Sequence, residues 1–198
     1  MLVRARFRSL SWSVILPSPA ILGYGFGLSE LMLFILKRSK ADEAPVDRGS
    51  LRILWITILL SIAASGTIAV VLPSYRLPVT VYPYGVALFA AGLALRWYAI
   101  IYLGRFFTVN VSIQDGHRVV DSGPYRHIRH PSYAGVLLAL IGYGLCQRNG
   151  IALAVLMVPI TGAFLNRIRI EEAVLAEFLK EPYEAYRSRT KRLVPFLY

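Results

Sequence analysis

The stretch HRVVDSGPYRHIRHPSYAG, residues 117–135, decides how this chain is read. It gathers all three histidines, three arginines and two tyrosines between two long apolar runs. Polar residues at that density beside a membrane span are expensive to hold unless they bind something. A second polar cluster, NRIRIEE at 166–172, leaves the last apolar run directly. The two clusters bracket a hydrophobic hairpin, so the fold can bring them together at one membrane face. A site is expected there.

The rest of the composition agrees with a membrane setting. Of the 198 residues, 56% are hydrophobic and only 17% charged, which does not describe a soluble globule. The net charge of +11 raises the question of nucleic acid. No basic stripe, stacking motif or finger spacing accompanies it, so no nucleic-acid partner is expected. Basic residues fall mostly between apolar runs, as in loops that meet anionic membrane lipid. The single Cys146 excludes an internal disulfide and a multi-cysteine metal site.

Crossing the hydrocarbon core takes about 20 helical residues. Pro19 to Leu36, Leu51 to Leu72 and Val81 to Leu103 meet that length. Ser132 to Cys146 and Ile151 to Leu165 are shorter, and the turn Gln147-Arg148-Asn149-Gly150 folds them into an antiparallel hairpin. Pro159 is a candidate kink in the second arm. The expected fold is therefore an all-α integral membrane protein of about five transmembrane helices. It ends in a C-terminal helical hairpin followed by cytoplasmic helices. One domain, 1–198, is expected, with the first three spans in 1–103 and the loop, hairpin and tail helices in 104–198. The basic segment MLVRARFRSLSWSVILP reads as a flank or surface helix before the first span.

Lys and Arg number five in residues 37–52, one in 73–80, four in 104–130, one in 147–150 and seven from 167 onward. Rich and poor loops alternate, which puts the two polar clusters on the cytoplasmic side. Arg4, Arg6 and Arg8 would then lie outside, against the rule. After the last span, Ile170, Val174, Leu175 and Phe178 recur at helical spacing, and Pro182 separates them from a second short helix beginning near Tyr183.

Each polar feature has a bland reading beside a chemical one. The three histidines suit a metal site, a solvated interfacial loop, or a pocket for an anionic or amphiphilic small molecule. Arginines interleaved with them oppose a dication, no HExxH pattern exists, and no metal is expected. Gly23-Tyr24-Gly25-Phe26-Gly27 lacks the spacing and strand of a dinucleotide loop, so close helix packing is the better reading. Arg167 and Glu171 share a helix face. They form either a surface ion pair or a clamp in which the arginine takes a carboxylate and the glutamate an ammonium. Glu30 and Arg96, inside apolar windows, pair with each other, snorkel or serve function. Tyr98 and Tyr102 read as interface anchors.

From about Gly104 to Pro195 the chain resembles the isoprenylcysteine carboxyl methyltransferase family. The resemblance rests on an ordered set: HRVV at 117–120, SGPY at 122–125, RHPSYAG at 129–135, then Arg167, Glu171-Glu172, Tyr183, Tyr186 and Pro195. RHPxYxG alone is shared with phospholipid methyltransferases and sterol reductases; the set is more specific. The resemblance implies a membrane transferase using S-adenosyl-L-methionine, held in a non-Rossmann cofactor pocket formed with the cytoplasmic helices. It implies cofactor binding by His117, Arg118, Val119, Val120, Tyr125, His130, Pro131, Ser132, Tyr133 and Glu171. It makes Arg167 the catalytic, substrate-side arginine and a lipophilic or prenylated carboxylate the acceptor. Lipid amine N-methylation, sterol-type reduction with NADPH and the role of a small membrane transporter or lipid-binding protein are the competing functions. Arg167 speaks against the first, the small span number against the second, and polar groups gathered at one face against the third.

Overall fold

The computed structural model describes residues 16–37, 49–107 and 118–195. Arg4, Arg6, Arg8 and His117 lie outside the described residues. Among the described residues six α-helices follow in order: α1 Pro19–Lys37, α2 Gly49–Val71, α3 Val81–Leu103, α4 Pro131–Cys146, α5 Gly150–Leu179 and α6 Glu181–Arg189. α1, α2, α3 and α5 are each long and apolar enough to cross a membrane, and α4 is a shorter apolar helix. Their outer faces carry side chains such as Leu59 and Leu60, about two-thirds exposed. Exposed leucine at that density fits lipid as the surrounding solvent, where a helix also satisfies every backbone group internally.

α3 packs along α4 and α2 along α5, while α1 rests on α4. Glycines explain the first contact. A Cβ on Gly92 of α3 would lie 2.5 Å from the Gly135 carbonyl of α4, and one on Gly135 would lie 2.6 Å from the Arg96 amide nitrogen. Gly85 and Gly142 repeat the arrangement seven residues away on each helix, where a Cβ on Gly85 would lie 2.8 Å from the Gly142 carbonyl. Small residues let two backbones touch, and in lipid such packing drives association where no hydrophobic effect does. The GYGFG segment of α1 works differently from expectation: Gly23 faces the Tyr143 ring, but a Cβ on Gly25 or Gly27 would meet open space.

The outer turns are pinned together. Asn149, fully buried, caps α5 by accepting from the Ala152 amide at 3.0 Å and donates to the Leu72 carbonyl at 2.7 Å. Arg148, in the left-handed region at φ 55°, donates its guanidinium to the Leu77 carbonyl. The α2–α3 and α4–α5 connections therefore sit side by side. The C-terminal ends of α1, α3 and α5 and the starts of α2 and α4 gather at the opposite end, where the polar clusters are.

α5 departs from the sequence reading. The last apolar run and the amphipathic segment after it are one uninterrupted 30-residue helix, with Pro159 inside it. Helix hydrogen bonds close through the backbone regardless of side-chain polarity, so a shift from apolar to charged residues ends a membrane core without ending a helix. α6 begins at Glu181, with Pro182 in its first turn, as the proline suggested.

Candidate active site

The site forms because α4 starts low. Arg96 donates to the Ser132 hydroxyl at 3.3 Å, which sets the first turn of α4 level with a point seven residues before the end of α3. Seven helical residues rise about 10 Å. The segment 118–130 covers that recess. Gly123, at φ +56°, turns the chain so tightly onto the Tyr102 ring that a Cβ would lie 2.5 Å from it. Tyr102 also donates to the Ser122 hydroxyl at 3.0 Å. It is thus a seat for the loop as well as a partly exposed interface residue. The following Tyr125 is buried, donates to the Ala99 carbonyl at 3.2 Å and accepts from the Tyr186 hydroxyl at 2.8 Å through its own carbonyl. Burial pushes both phenols well above their ordinary range, so they remain donors.

From behind, the C-terminal segment braces this loop. Arg129 and His130 donate their amides to the carbonyls of Lys191 and Arg192 at 2.7 and 3.0 Å, and Lys191 returns one to His127 at 3.1 Å. His127 and His130 therefore belong to an extended connection and not to one helical turn. Glu172 is the hub. Its buried carboxylate accepts from Arg129 at 2.8 Å and Arg192 at 3.0 Å, and lies 3.3 Å from His130 Nε2. Arg129 also reaches the Thr190 and Arg187 carbonyls. Neither Glu172 nor Arg129 nor Arg192 was assigned a role from sequence, although Glu172 and Arg129 stand inside the quoted motifs. At their edge, Asp121 pairs with Arg189.

In front of the hub lie the residues that sequence singled out. The His130 and Tyr133 rings stack at 5.5 Å and 4°. Tyr133 donates its hydroxyl to Glu171 Oε2 at 2.7 Å, and Arg167 lies beside the same hydroxyl. Arg167 is buried at 2% exposure and donates to the Ser50 hydroxyl of α2 at 2.7 Å. Pro131 and Ser132 are buried at the α4 start. Arg118 is exposed and Val119 and Val120 are half-buried, and no hydrogen bond or ion pair joins Arg118 to Tyr133 or Glu171 among the described residues. Glu30 and Arg96 do pair, at 2.5 Å, which joins α1 to α3 together with a 2.8 Å bond from the Trp97 indole to Ser29.

A cavity runs from this polar end into the membrane layer. Arg167, Tyr133, Glu30 and Arg96 line one part of it, and Phe26, Leu33, Leu54, Trp55, Ile58 and Phe164 line the rest. Its walls come from α1, α2, α4 and α5 with Arg96 of α3, and α1 and α2 do not pack closely on each other. A guanidinium and a carboxylate at the mouth, with aromatic and aliphatic walls below, suit an amphiphile with a polar reacting end.

Such a fold and site define a membrane-embedded helical protein with a largely apolar cavity that carries charged groups at one part. The family model for the isoprenylcysteine carboxyl methyltransferase (ICMT) family matches residues 85–177. Protein-S-isoprenylcysteine O-methyltransferase A of Arabidopsis thaliana is 30% identical over 144 residues, 72% of this chain and 73% of that protein. The B protein of the same plant is 34% identical over 116 residues, 58% of this chain and 59% of that protein. A solved structure of the eukaryotic intramembrane Ras methyltransferase ICMT superposes over 94% of this chain and 70% of that one, with TM-score 0.64 at 20% identity. The chain belongs to the isoprenylcysteine carboxyl methyltransferase family, and it is an integral membrane protein. Alignments with several of its relatives, the B protein among them, span about three-fifths of their length.

Proposed function

We propose that this chain is an S-adenosyl-L-methionine-dependent methyltransferase that esterifies the carboxylate of an isoprenylcysteine or similar amphiphile at a cytoplasm-facing site. The observation that carries the reading is the buried Arg167 beside the Tyr133–Glu171 pair, with Arg167 and Tyr133 lining the polar part of a largely apolar cavity. The names of the relatives agree with it.

When bound, the cofactor supplies an electrophilic methyl on a sulfonium, and a carboxylate oxygen can take that methyl while the sulfur leaves as a neutral thioether. The chain's residues fit both partners. Glu171 offers the carboxylate that a methionine ammonium needs, with Tyr133 fixing one of its oxygens. The stacked His130 and Tyr133 rings present π surface suited to a cationic sulfur. Tyr125, His117 and the Arg118–Val120 segment complete the cofactor side in this proposal, and Pro131 and Ser132 set its floor. Arg167 orients the acceptor carboxylate. No proton has to move in this displacement, so the protein's work is alignment and exclusion of water. The lipid tail lies along Phe26, Leu54 and Trp55.

Two substitutions separate the roles. Glu171→Gln is expected to weaken binding of S-adenosylhomocysteine roughly ten- to a hundred-fold, the worth of one charge-assisted hydrogen bond at about 1.5–3 kcal/mol. Arg167→Leu is expected to keep that binding and lose turnover. Full turnover of a carboxylate substrate by Arg167→Leu would overturn the assignment.

A further inference from the structure

The tail holds a buried phenol that the proposed reaction leaves without a task. Tyr183, in the first turn of α6, is 3% exposed, and its hydroxyl has no hydrogen-bond partner among the described residues. A buried donor left unpaired is costly, and native structures keep few of them. Tyr186, one turn on, packs against Tyr183 at 6.2 Å between ring centroids and donates to the Tyr125 carbonyl. Both rings therefore face inward, toward the loop and α5. Three phenols from three segments share Glu171 as a charged neighbour: Tyr133 of α4, Tyr125 of the loop and Tyr183 of α6. The first donates to Glu171 and the second to the Ala99 carbonyl, which leaves the third as the open donor of the cluster. The acceptors beside it are taken. Glu171 Oε2 holds Tyr133, and both Glu172 oxygens hold arginines. Burial, then Glu172 and Glu171, hold the Tyr183 phenol well above its ordinary range, so it stays a donor at physiological pH.

We infer that Tyr183 donates its hydroxyl to the α-carboxylate of the cofactor's methionine part. That carboxylate shares a carbon with the ammonium that Glu171 takes in the proposed function, so a zwitterion held at Glu171 brings its own acceptor to the open donor. Arg129 also neighbours Tyr183 and offsets the two glutamates for an incoming anion. An adenosyl thioether that lacks the carboxylate is then disfavoured. The inference rests on S-adenosyl-L-methionine being the cofactor, and it adds a residue of the tail to that site.

The test compares S-adenosylhomocysteine with its decarboxylated analogue, which keeps the adenosine, the sulfur and the ammonium. Binding of each is measured on purified full-length protein in detergent, for the unsubstituted chain and for Tyr183→Phe. The unsubstituted chain is expected to bind S-adenosylhomocysteine about tenfold or more tighter than the analogue, the worth of one hydrogen bond to a charged group. Tyr183→Phe is expected to lose most of that ratio while binding the analogue as before. Its melting midpoint without ligand should be unchanged or higher, because the hydroxyl removed has no partner in the protein. Equal affinity of the unsubstituted chain for the two ligands would overturn the inference without recourse to a variant. A folded Tyr183→Phe that keeps the ratio would overturn it too, leaving the hydroxyl to a bound water. A Tyr183→Phe chain that fails to fold, or that melts lower and loses both ligands alike, would also overturn it, since the hydroxyl would then serve the fold. Absence of S-adenosylhomocysteine binding to the unsubstituted chain would instead remove the cofactor reading of the whole site.

Discussion

Glu172→Gln tests the hub that holds the loop over the recess. The substitution keeps shape and one acceptor oxygen but removes the charge shared by Arg129, Arg192 and His130. Glu172 and Arg129 are 4% and 7% exposed, so the guanidinium of Arg129 would be left buried without its counter-charge. Breaking a buried pair from one side costs about 3–5 kcal/mol. Arg192 is 25% exposed and recovers part of its loss from water, which favours the lower end, about 3 kcal/mol. For a chain of this size that is roughly 6–12 °C in melting midpoint. Thermal unfolding in detergent, followed by S-adenosylhomocysteine binding at low temperature, measures both consequences. Arg129→Met and the double variant complete a cycle, in which the double is expected to be less damaging than the two singles added together. A midpoint lowered by less than about 2 °C, a loss of no more than about 0.5–1 kcal/mol, or strict additivity in the cycle, would refute the hub.

Three further outcomes follow from the geometry. Gly92→Val sets branched carbon against the Gly135 carbonyl and Ala139, so α3 and α4 must separate; a loss of at least about 1–3 kcal/mol is expected, read as a lower melting midpoint, whereas Gly27→Ala, which meets open space, should be near neutral. A cysteine at Ser74 and one at Ser188, both exposed, should label from opposite membrane faces; labelling from one face would sink the five-helix topology. Tyr186→Phe removes the bond to the Tyr125 carbonyl and is expected to cost about 1 kcal/mol, seen as modestly weaker cofactor binding with turnover at saturation preserved.

How much of this could be read from residues alone depended on the kind of signal. Five helices were visible because a lipid solvent demands long apolar runs, and the windows at 19–36, 51–72 and 81–103 agree with α1, α2 and α3 to within a residue or two. The hairpin and the meeting of the two polar clusters followed from a four-residue turn. The continuity of α5 was hidden because hydropathy reports the solvent around a helix and not the helix itself. Close packing of α3 on α4 depends on which faces meet, and the glycines at 85, 92, 135 and 142 carry no sign of that in isolation. Glu171 and Glu172 are neighbours in sequence but about 100° apart around the helix. One meets the Tyr133 hydroxyl, the other Arg129 and Arg192, and only the direction of each Cβ distinguishes them. The partnership of Glu30 with Arg96 was one of several open readings until α1 and α3 were placed together. His117, outside the described residues, is read from the motif alone.

The most direct measurement is the chemical nature of the methylated product. Purified protein is incubated with methyl-labelled S-adenosyl-L-methionine, N-acetyl-S-farnesylcysteine and, in a parallel reaction, a total lipid extract. The product is then treated with base. A carboxyl methyl ester releases its label as volatile methanol, whereas an N-methyl amine holds it. Base-labile label on the farnesylcysteine compound, abolished by Arg167→Leu, is the expected result. Base-stable label on lipid amines, or binding of NADPH with no methyl transfer to any acceptor, would contradict the account.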